Sequence, residues 1–171
     1  MAATRFISMH TGKGKPPAVS LTERIDYILN PAKTDGGLWV SSYKCDPATA
    51  TSEMLLARQI YRNNGGRQPG RDKEVLAYHI RQAFKPGEIT PEDANRIGRE
   101  LAERFTKGRY QFVVATHVDK GHIHNHIVFA AISDNSARRF RDFLGSGKAV
   151  RKISDRLCLE NGLSVIENPK R

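Results

Sequence analysis

YQFVVATHVDKGHIHNHIVFAAIS, residues 110–133, reads as two strands with a short connection between them. YQFVVATHV (110–118) and HNHIVFAAIS (124–133) are rich in β-branched and aromatic residues, and the intervening DKGHI is short and polar at its start. A link this short joins antiparallel neighbours, because a parallel pair needs a long crossover. Side chains alternate across a strand, so His124 and His126 share one face, and Ile127 and Phe129 take the other. In the preceding strand Val113, Ala115 and His117 share a face, opposite Phe112, Val114 and Thr116. Pairing through the turn brings His117 beside His124 and His126. Three neutral imidazoles so placed make a set of ligands for one divalent ion.

Working outward, TRFISM (4–9) reads as a strand followed by a GKGKPP loop. SLTERIDYIL (20–29) reads as a helix, with Ser20 as N-cap and Glu23 closing a capping box, and Asn30-Pro31 ends it. LWVSSYKC (38–45) reads as a strand, 50–62 as a helix stopped by NNGGRQPG, and VLAYHIRQAF (75–84) as a strand. TPEDA announces a helix running to about Thr106, with Thr90 as N-cap, Pro91 in the first turn and Asp93 three residues on. A last helix covers 147–160, with Gly162 beyond its end. This order predicts an α+β fold, an antiparallel sheet with helices packed mainly on one face. Residues 1–171 read as a single domain, and the closing IENPKR reads as an edge, as in the first domain of a longer protein.

Composition narrows the function. Lys and Arg number 28 against 18 Asp and Glu, a formal charge of +10, which calls for an anionic partner. Nucleic acid suits it better than a membrane surface, since no cationic amphipathic helix with an exposed apolar face stands out. There is no apolar run long enough to span a bilayer and no secretory h-region at the start, so no membrane partner is expected. Two cysteines, Cys45 and Cys158, supply neither a disulfide framework nor a four-cysteine zinc site, and a reducing cytoplasm is the simple expectation.

Four of the six histidines fall between His117 and His126. Surface histidines are the competing reading, but two on one face of an otherwise apolar strand favour a metal site at His117, His124 and His126. Asp119 is a fourth ligand or an acceptor that fixes an imidazole tautomer. His122 falls in the turn, while His10 and His79 read as ordinary residues, His79 with the option of lining the same cleft. The HExxH of metalloproteases and the cysteine ligands of nucleobase deaminases are absent. Gly145-Ser146-Gly147-Lys148 is no P-loop, because Asp142 stands where the first glycine belongs and Ala149 where Ser or Thr belongs.

HVDKGHIHNHIV (117–128), with histidines at its first, eighth and tenth positions, resembles the metal motif of relaxases, the mobilisation nucleases of conjugative plasmids and integrative elements. These belong to the HUH endonucleases, whose two ligand histidines flank a hydrophobe; here Asn125 replaces the hydrophobe and both ligand positions are kept. IDYILNPAKT (25–34), WVSSYKCDP (39–47) and AYHIRQAFKPGEITPEDANRIG (77–98) also resemble this family's N-terminal domain, so the likeness covers most of the chain. The resemblance implies a site- and strand-specific DNA transesterase that nicks at a transfer origin, leaving a 5′-phosphotyrosine and a free 3′-hydroxyl. The family's nucleophile position falls on Tyr27. Leu21, Ile25, Ile28 and Leu29 form one helix stripe, and Tyr27 points well over 90° from its centre, as a side chain facing a cleft should. Tyr43, Tyr61, Tyr78 and Tyr110 are the fallback candidates, and Trp39 is a core residue or a stacking platform for a base.

Asp119 is the second candidate catalytic residue, for proton movement or ligand orientation. The implied cofactor is one divalent ion, with Mn, Mg, Zn, Ni and Co all admissible. Implied partners are origin DNA, single-stranded around the nick and with an adjacent hairpin in some cases, and accessory relaxosome proteins. Arg138, Arg139, Arg141, Lys148, Arg151 and Lys152 are candidates for holding the DNA backbone; a solvated helix face is an equal reading for any one of them. The rivals are a replication initiator or transposase of the same class, a non-cleaving DNA-binding module with a structural metal, and a three-histidine zinc hydrolase of small substrates, which the charge disfavours.

Overall fold

The computed structural model describes residues 3–70 and 73–167; the end of IENPKR falls outside them. Five strands, β1 (Ala3–His10), β2 (Val40–Tyr43), β3 (Val75–Ala83), β4 (Phe112–His117) and β5 (His124–Ala130), form one sheet in the order β1-β3-β5-β4-β2. Every neighbouring pair is antiparallel. Four α-helices complete the fold: α1 (Pro17–Ile28), α2 (Ala50–Asn63), α3 (Pro91–Thr106) and α4 (Ser146–Glu160). The α+β antiparallel reading holds, and β4 and β5 pair in the middle of the sheet as their short link requires.

The helices do not gather on one face, as expected, but divide between the two. Tyr78, Ile80, Phe112, Val114, Ile127 and Phe129 pack under α3 and α4, through Ile97, Leu101, Val150 and Leu157. The opposite parity, Met9, Ala77, Val113, Ala115, Val128 and Ala130, packs under α1 and α2, through Leu21, Ile25, Ile28 and Met54. Every residue of β5 is buried, so this strand needs apolar or fully bonded side chains on both faces. Alanines stand at 77, 115 and 130 on the face that α1 and α2 cover.

Local chemistry explains the boundaries. Thr90 caps α3 by accepting from the Asp93 amide at 3.2 Å, as its sequence predicts. The capping box expected at Ser20 does not form. Pro16 and Pro17 suit a helix entry, so α1 begins a turn earlier. Ser20 then lies inside the helix, where its Oγ accepts from the Gly12 amide at 2.8 Å, and Glu23 pairs with Lys15. The strand expected over 38–45 is shorter because the Leu38 and Trp39 amides still close the preceding turn, onto the Asp35 and Thr34 carbonyls, and Lys44 leaves the extended region at φ 57°. Likewise β5 stops at Ala130, since the chain turns through 133–137 after Ile132 bridges to Arg139.

Candidate metal centre and its tyrosine

The register sets the site. His117 pairs directly with His124 across the β4–β5 ladder, and His126 sits opposite Ala115, so all three imidazoles leave the same face of the sheet. Ring centroids are 4.2 Å apart for His117 and His126, 5.0 Å for His117 and His124, and 5.0 Å for His124 and His126. One nitrogen from each ring lies within 4.8 Å of the others, and all three side chains are buried. This triad can bind a metal ion.

Hydrogen bonds and burial prepare the rings for that role. His117 Nε2 donates to the Ile28 carbonyl at 2.8 Å, which puts its proton there and leaves Nδ1 as the lone pair. His126 uses Nδ1 in a 2.9 Å bond with His79 Nε2, leaving Nε2. Among the described residues His124 Nδ1 is buried with no hydrogen-bond partner, and a cation would satisfy such a nitrogen. Burial, followed by the neighbouring His117, lowers His124 to about 4 and His126 to about 2. Burial also lowers His117, against the opposing pull of its bond to Ile28. At neutral pH these are uncharged nitrogen donors, and the residues present fit a divalent ion.

The carbonyl that orders His117 belongs to the last residue of α1, one place after Tyr27. With Leu21, Ile25 and Ile28 buried at 2% exposure or less, Tyr27 is turned outward and is 53% exposed. Its ring lies 6.3 Å from that of His126 and 6.5 Å from that of His117. The Asn30-Pro31 turn then folds back. Val118 N–H donates to the Lys33 carbonyl at 2.8 Å, and Lys33 Nζ stands 4.2 Å from the Tyr27 ring centroid. The other tyrosines are engaged elsewhere: Tyr78 and Tyr110 in the α3–α4 core, Tyr43 stacked on Phe112, and Tyr61 under Arg139.

Other expected residues come out differently. Asp119 is exposed in the turn and is not in the ligand group, though its charge reaches His117 and His124. His122 is half-buried, with its ring 5.2 Å from that of His124. Arg138, Arg139 and Arg141 follow β5, and Lys148, Arg151 and Lys152 belong to α4, which covers the face opposite the histidines. Arg139 is committed to the Glu74 carboxylate and the Val75 carbonyl, at the far end of β3 from the site.

Sequence reasoning missed the cations that do share the histidine face. Arg81 pairs in register with His126 on one side and Arg5 on the other, and both arginines are exposed. They line a groove of ≈ 170 Å³ with His122 and His124. Arg24, one turn before Ile28, lines a larger cleft of ≈ 370 Å³ with Tyr27 and His10. His79, read as ordinary with the option of lining the same cleft, is 2% exposed and bonded to His126. Its alternation with Arg81 was visible in the sequence, but the pairing of β3 with β5 was not.

An antiparallel sheet whose central strand carries a histidine pair, with a third histidine across from it, is the architecture of HUH-like nuclease domains. Residues 27–163 match the family model described as "Relaxase: MobA/VirD2-like, nuclease domain". The chain belongs to this family. It is 34% identical over 148 residues to "Protein rlx" of Staphylococcus aureus, covering 86% of this chain and 42% of that protein. It is 32% identical over 178 aligned residues to the "Group II intron-interrupted relaxase LtrB" of Lactococcus lactis subsp. cremoris, covering 86% of this chain and 32% of that one. The chain thus spans well under half of these relatives. Among the described residues no helix is long and apolar enough to cross a membrane.

Proposed function

We propose that this chain is a metal-dependent DNA-nicking domain that cuts one strand at a transfer origin for conjugative transfer. The observation that carries the reading is the exposed Tyr27 ring within 6.5 Å of two histidines of a buried three-imidazole cluster.

A phenol is a weak nucleophile at neutral pH, and a phosphodiester repels it. When bound by His117, His124 and His126, a divalent ion supplies Lewis-acid stabilisation of charge on the phosphate's nonbridging oxygens. The chain supplies the rest. Tyr27 Oη forms a bond to phosphorus while the bond to the 3′ oxygen breaks, giving a 5′-phosphotyrosine and a 3′-hydroxyl. The phenolic proton leaves and the 3′ oxygen gains one; Asp119 and His122, in the turn beside the ligands, are the groups suited to passing it. Because the phosphotyrosine conserves the energy of the broken bond, the same site can rejoin the strand. Lys33 sits over the ring to hold it and to attract the phosphate. Arg24, Arg81 and Arg5 are suited to gripping neighbouring phosphates on the same face, better than the α4 cations expected from sequence.

The test is covalent capture. The chain is incubated with a pool of random single-stranded oligonucleotides and Mg²⁺ or Mn²⁺, and trapped strands are recovered after denaturation. A DNA–protein adduct mapping to Tyr27, lost in Tyr27→Phe, is the expected result. An adduct that survives in Tyr27→Phe transfers the nucleophile to another tyrosine, and no adduct with any strand leaves a DNA-binding module with a structural metal.

A further inference from the structure

His79 is the one histidine on the cluster's face that offers no free position to the cluster and yet touches it. It is buried among β1, β3 and β5, in register with Val128, two residues along β3 from the Arg81–His126 pair. Its Nε2 is 2.9 Å from His126 Nδ1, and its own Nδ1 is buried with no partner among the described residues.

A neutral imidazole carries one N–H and one lone pair, so two ring nitrogens at this distance share a single proton. Two arrangements satisfy the count. If His79 donates, the proton of His126 must sit on its Nε2, and that ring has no lone pair left for a cation. If His126 donates from Nδ1, its Nε2 lone pair is free and the proton of His79 moves to Nδ1, where nothing receives it. Only the second arrangement lets His126 serve as a ligand. It has a cost, an orphaned N–H, which packing alone does not explain: an apolar side chain would fill the same space without it. His117 shows the parallel device, its distal nitrogen held by the Ile28 carbonyl.

We propose that His79 is a positioning residue for the metal centre, an imidazole that accepts the Nδ1–H of His126 and so holds the His126 Nε2 lone pair toward the cation. This rests on the metal-dependent reading above. In most such centres a carboxylate, a backbone carbonyl or a water plays this part, and its removal weakens metal affinity by about 10–100-fold. Here β3 contributes an imidazole instead, which adds no negative charge beside the DNA.

The test titrates Zn²⁺ alone into this chain and its variants by calorimetry. His79→Leu keeps bulk and removes the acceptor; His79→Gln returns an oxygen near the lost Nε2. The expectation is an affinity loss of about 10–100-fold in His79→Leu and a substantial recovery in His79→Gln. Equal affinity in wild type and His79→Leu overturns the proposal, and so does an equal loss in both variants. Long-range ¹H–¹⁵N spectra of the zinc-loaded wild type provide a second readout that needs no variant. They should show His126 protonated at Nδ1 and metal-bound at Nε2, and the opposite assignment overturns the proposal. If wild type binds no zinc, the metal reading itself fails. If wild type binds, His126→Ala does not, and His79→Leu is unaffected, only the role of His79 fails.

Discussion

Replacing Gly98 with alanine should destabilise this protein, against the usual direction for a mid-helix glycine. Alanine gains about 1 kcal/mol of helix propensity over glycine in a helix interior. Here α3 lies on the β4–β5 face opposite the histidines, and the space for a methyl is taken. A Cβ at 98 would stand 2.7 Å from Asn125 Nδ2, 3.0 Å from Asn125 Cγ and 3.0 Å from Val114 Cγ1. Asn125 cannot easily retreat. It is fully buried, and its Nδ2 donates to Gln82 Oε1 at 3.0 Å and to the Ala94 carbonyl at 2.7 Å. Its Oδ1 accepts from Thr116 Oγ1 at 2.6 Å. Overpacking of this kind costs about 1–3 kcal/mol. Each buried polar group left without its partner adds about 1–3 kcal/mol. Against the propensity gain, a net loss of roughly 2–4 kcal/mol is expected, about 5–15 °C in Tm for a domain of this size. The assay is urea or thermal unfolding of wild type, Gly98→Ala, Asn125→Ala and the double variant. In the Asn125→Ala background only the Val114 methyl, at 3.0 Å, still crowds the new Cβ, so Gly98→Ala should cost much less than it does in wild type. A Gly98→Ala variant more stable than wild type, or an equal effect in both backgrounds, would refute the reasoning.

Three further outcomes follow from the same physics. Glu74→Gln breaks a bidentate pair with Arg58 (2.7 and 2.9 Å) and the contact of Arg139 at 3.5 Å, in a place where the carboxylate is 6% exposed. Loss of one partner of so buried a pair should cost about 3 kcal/mol in denaturant unfolding, and a change under about 0.5 kcal/mol would show that water screens it. Acidification should destabilise the metal-free chain: unfolded imidazoles take protons near pH 6.5, whereas burial keeps His124 neutral down to about 4. The unfolded state then binds more protons, so stability falls as pH drops through that window; urea midpoints at pH 7 and pH 5 measure it, and His126→Leu should shrink the difference. Replacing Arg5 and Arg81 together with alanine should reduce the slope of log affinity for single-stranded DNA against log salt by about 1.4, two phosphate contacts' worth. The pair Lys148→Ala and Lys152→Ala on α4 should leave that slope unchanged, and the reverse pattern would return the DNA to the α4 face.

Much of the site was legible before any coordinates because it is made of short-range pattern. Alternation within β4 and β5 and the brevity of their link put three histidines on one face, and the helix stripe of Leu21, Ile25 and Ile28 turned Tyr27 away from the core. The start of α3 was readable from Thr90 and Pro91 for the same reason. What was not legible depends on which strands meet and which side each helix crosses. Period-2 patterning says that His79 and Arg81 share a face of β3, but only the β3–β5 ladder brings them beside His126. The same ignorance of crossover side gathered the helices on one face, and it hid that Arg5 and Arg81 lie in register beside His126. Asn125 carries a subtler lesson. Its polarity at a fully buried β-position looked like a departure from the hydrophobe of HUH proteins, yet it is matched by Gln82, Thr116 and the α3 backbone.

Pulsed electron paramagnetic resonance of the manganese-loaded chain, with a single-stranded oligonucleotide bound to the Tyr27→Phe variant, tests the central claim most directly. The account predicts one Mn²⁺ per chain, hyperfine couplings from three imidazole nitrogens that drop by one in each of His117→Ala, His124→Ala and His126→Ala, and a ³¹P coupling that appears only with DNA. Manganese held by fewer than three of these rings, or no phosphorus within contact distance of it, would contradict it.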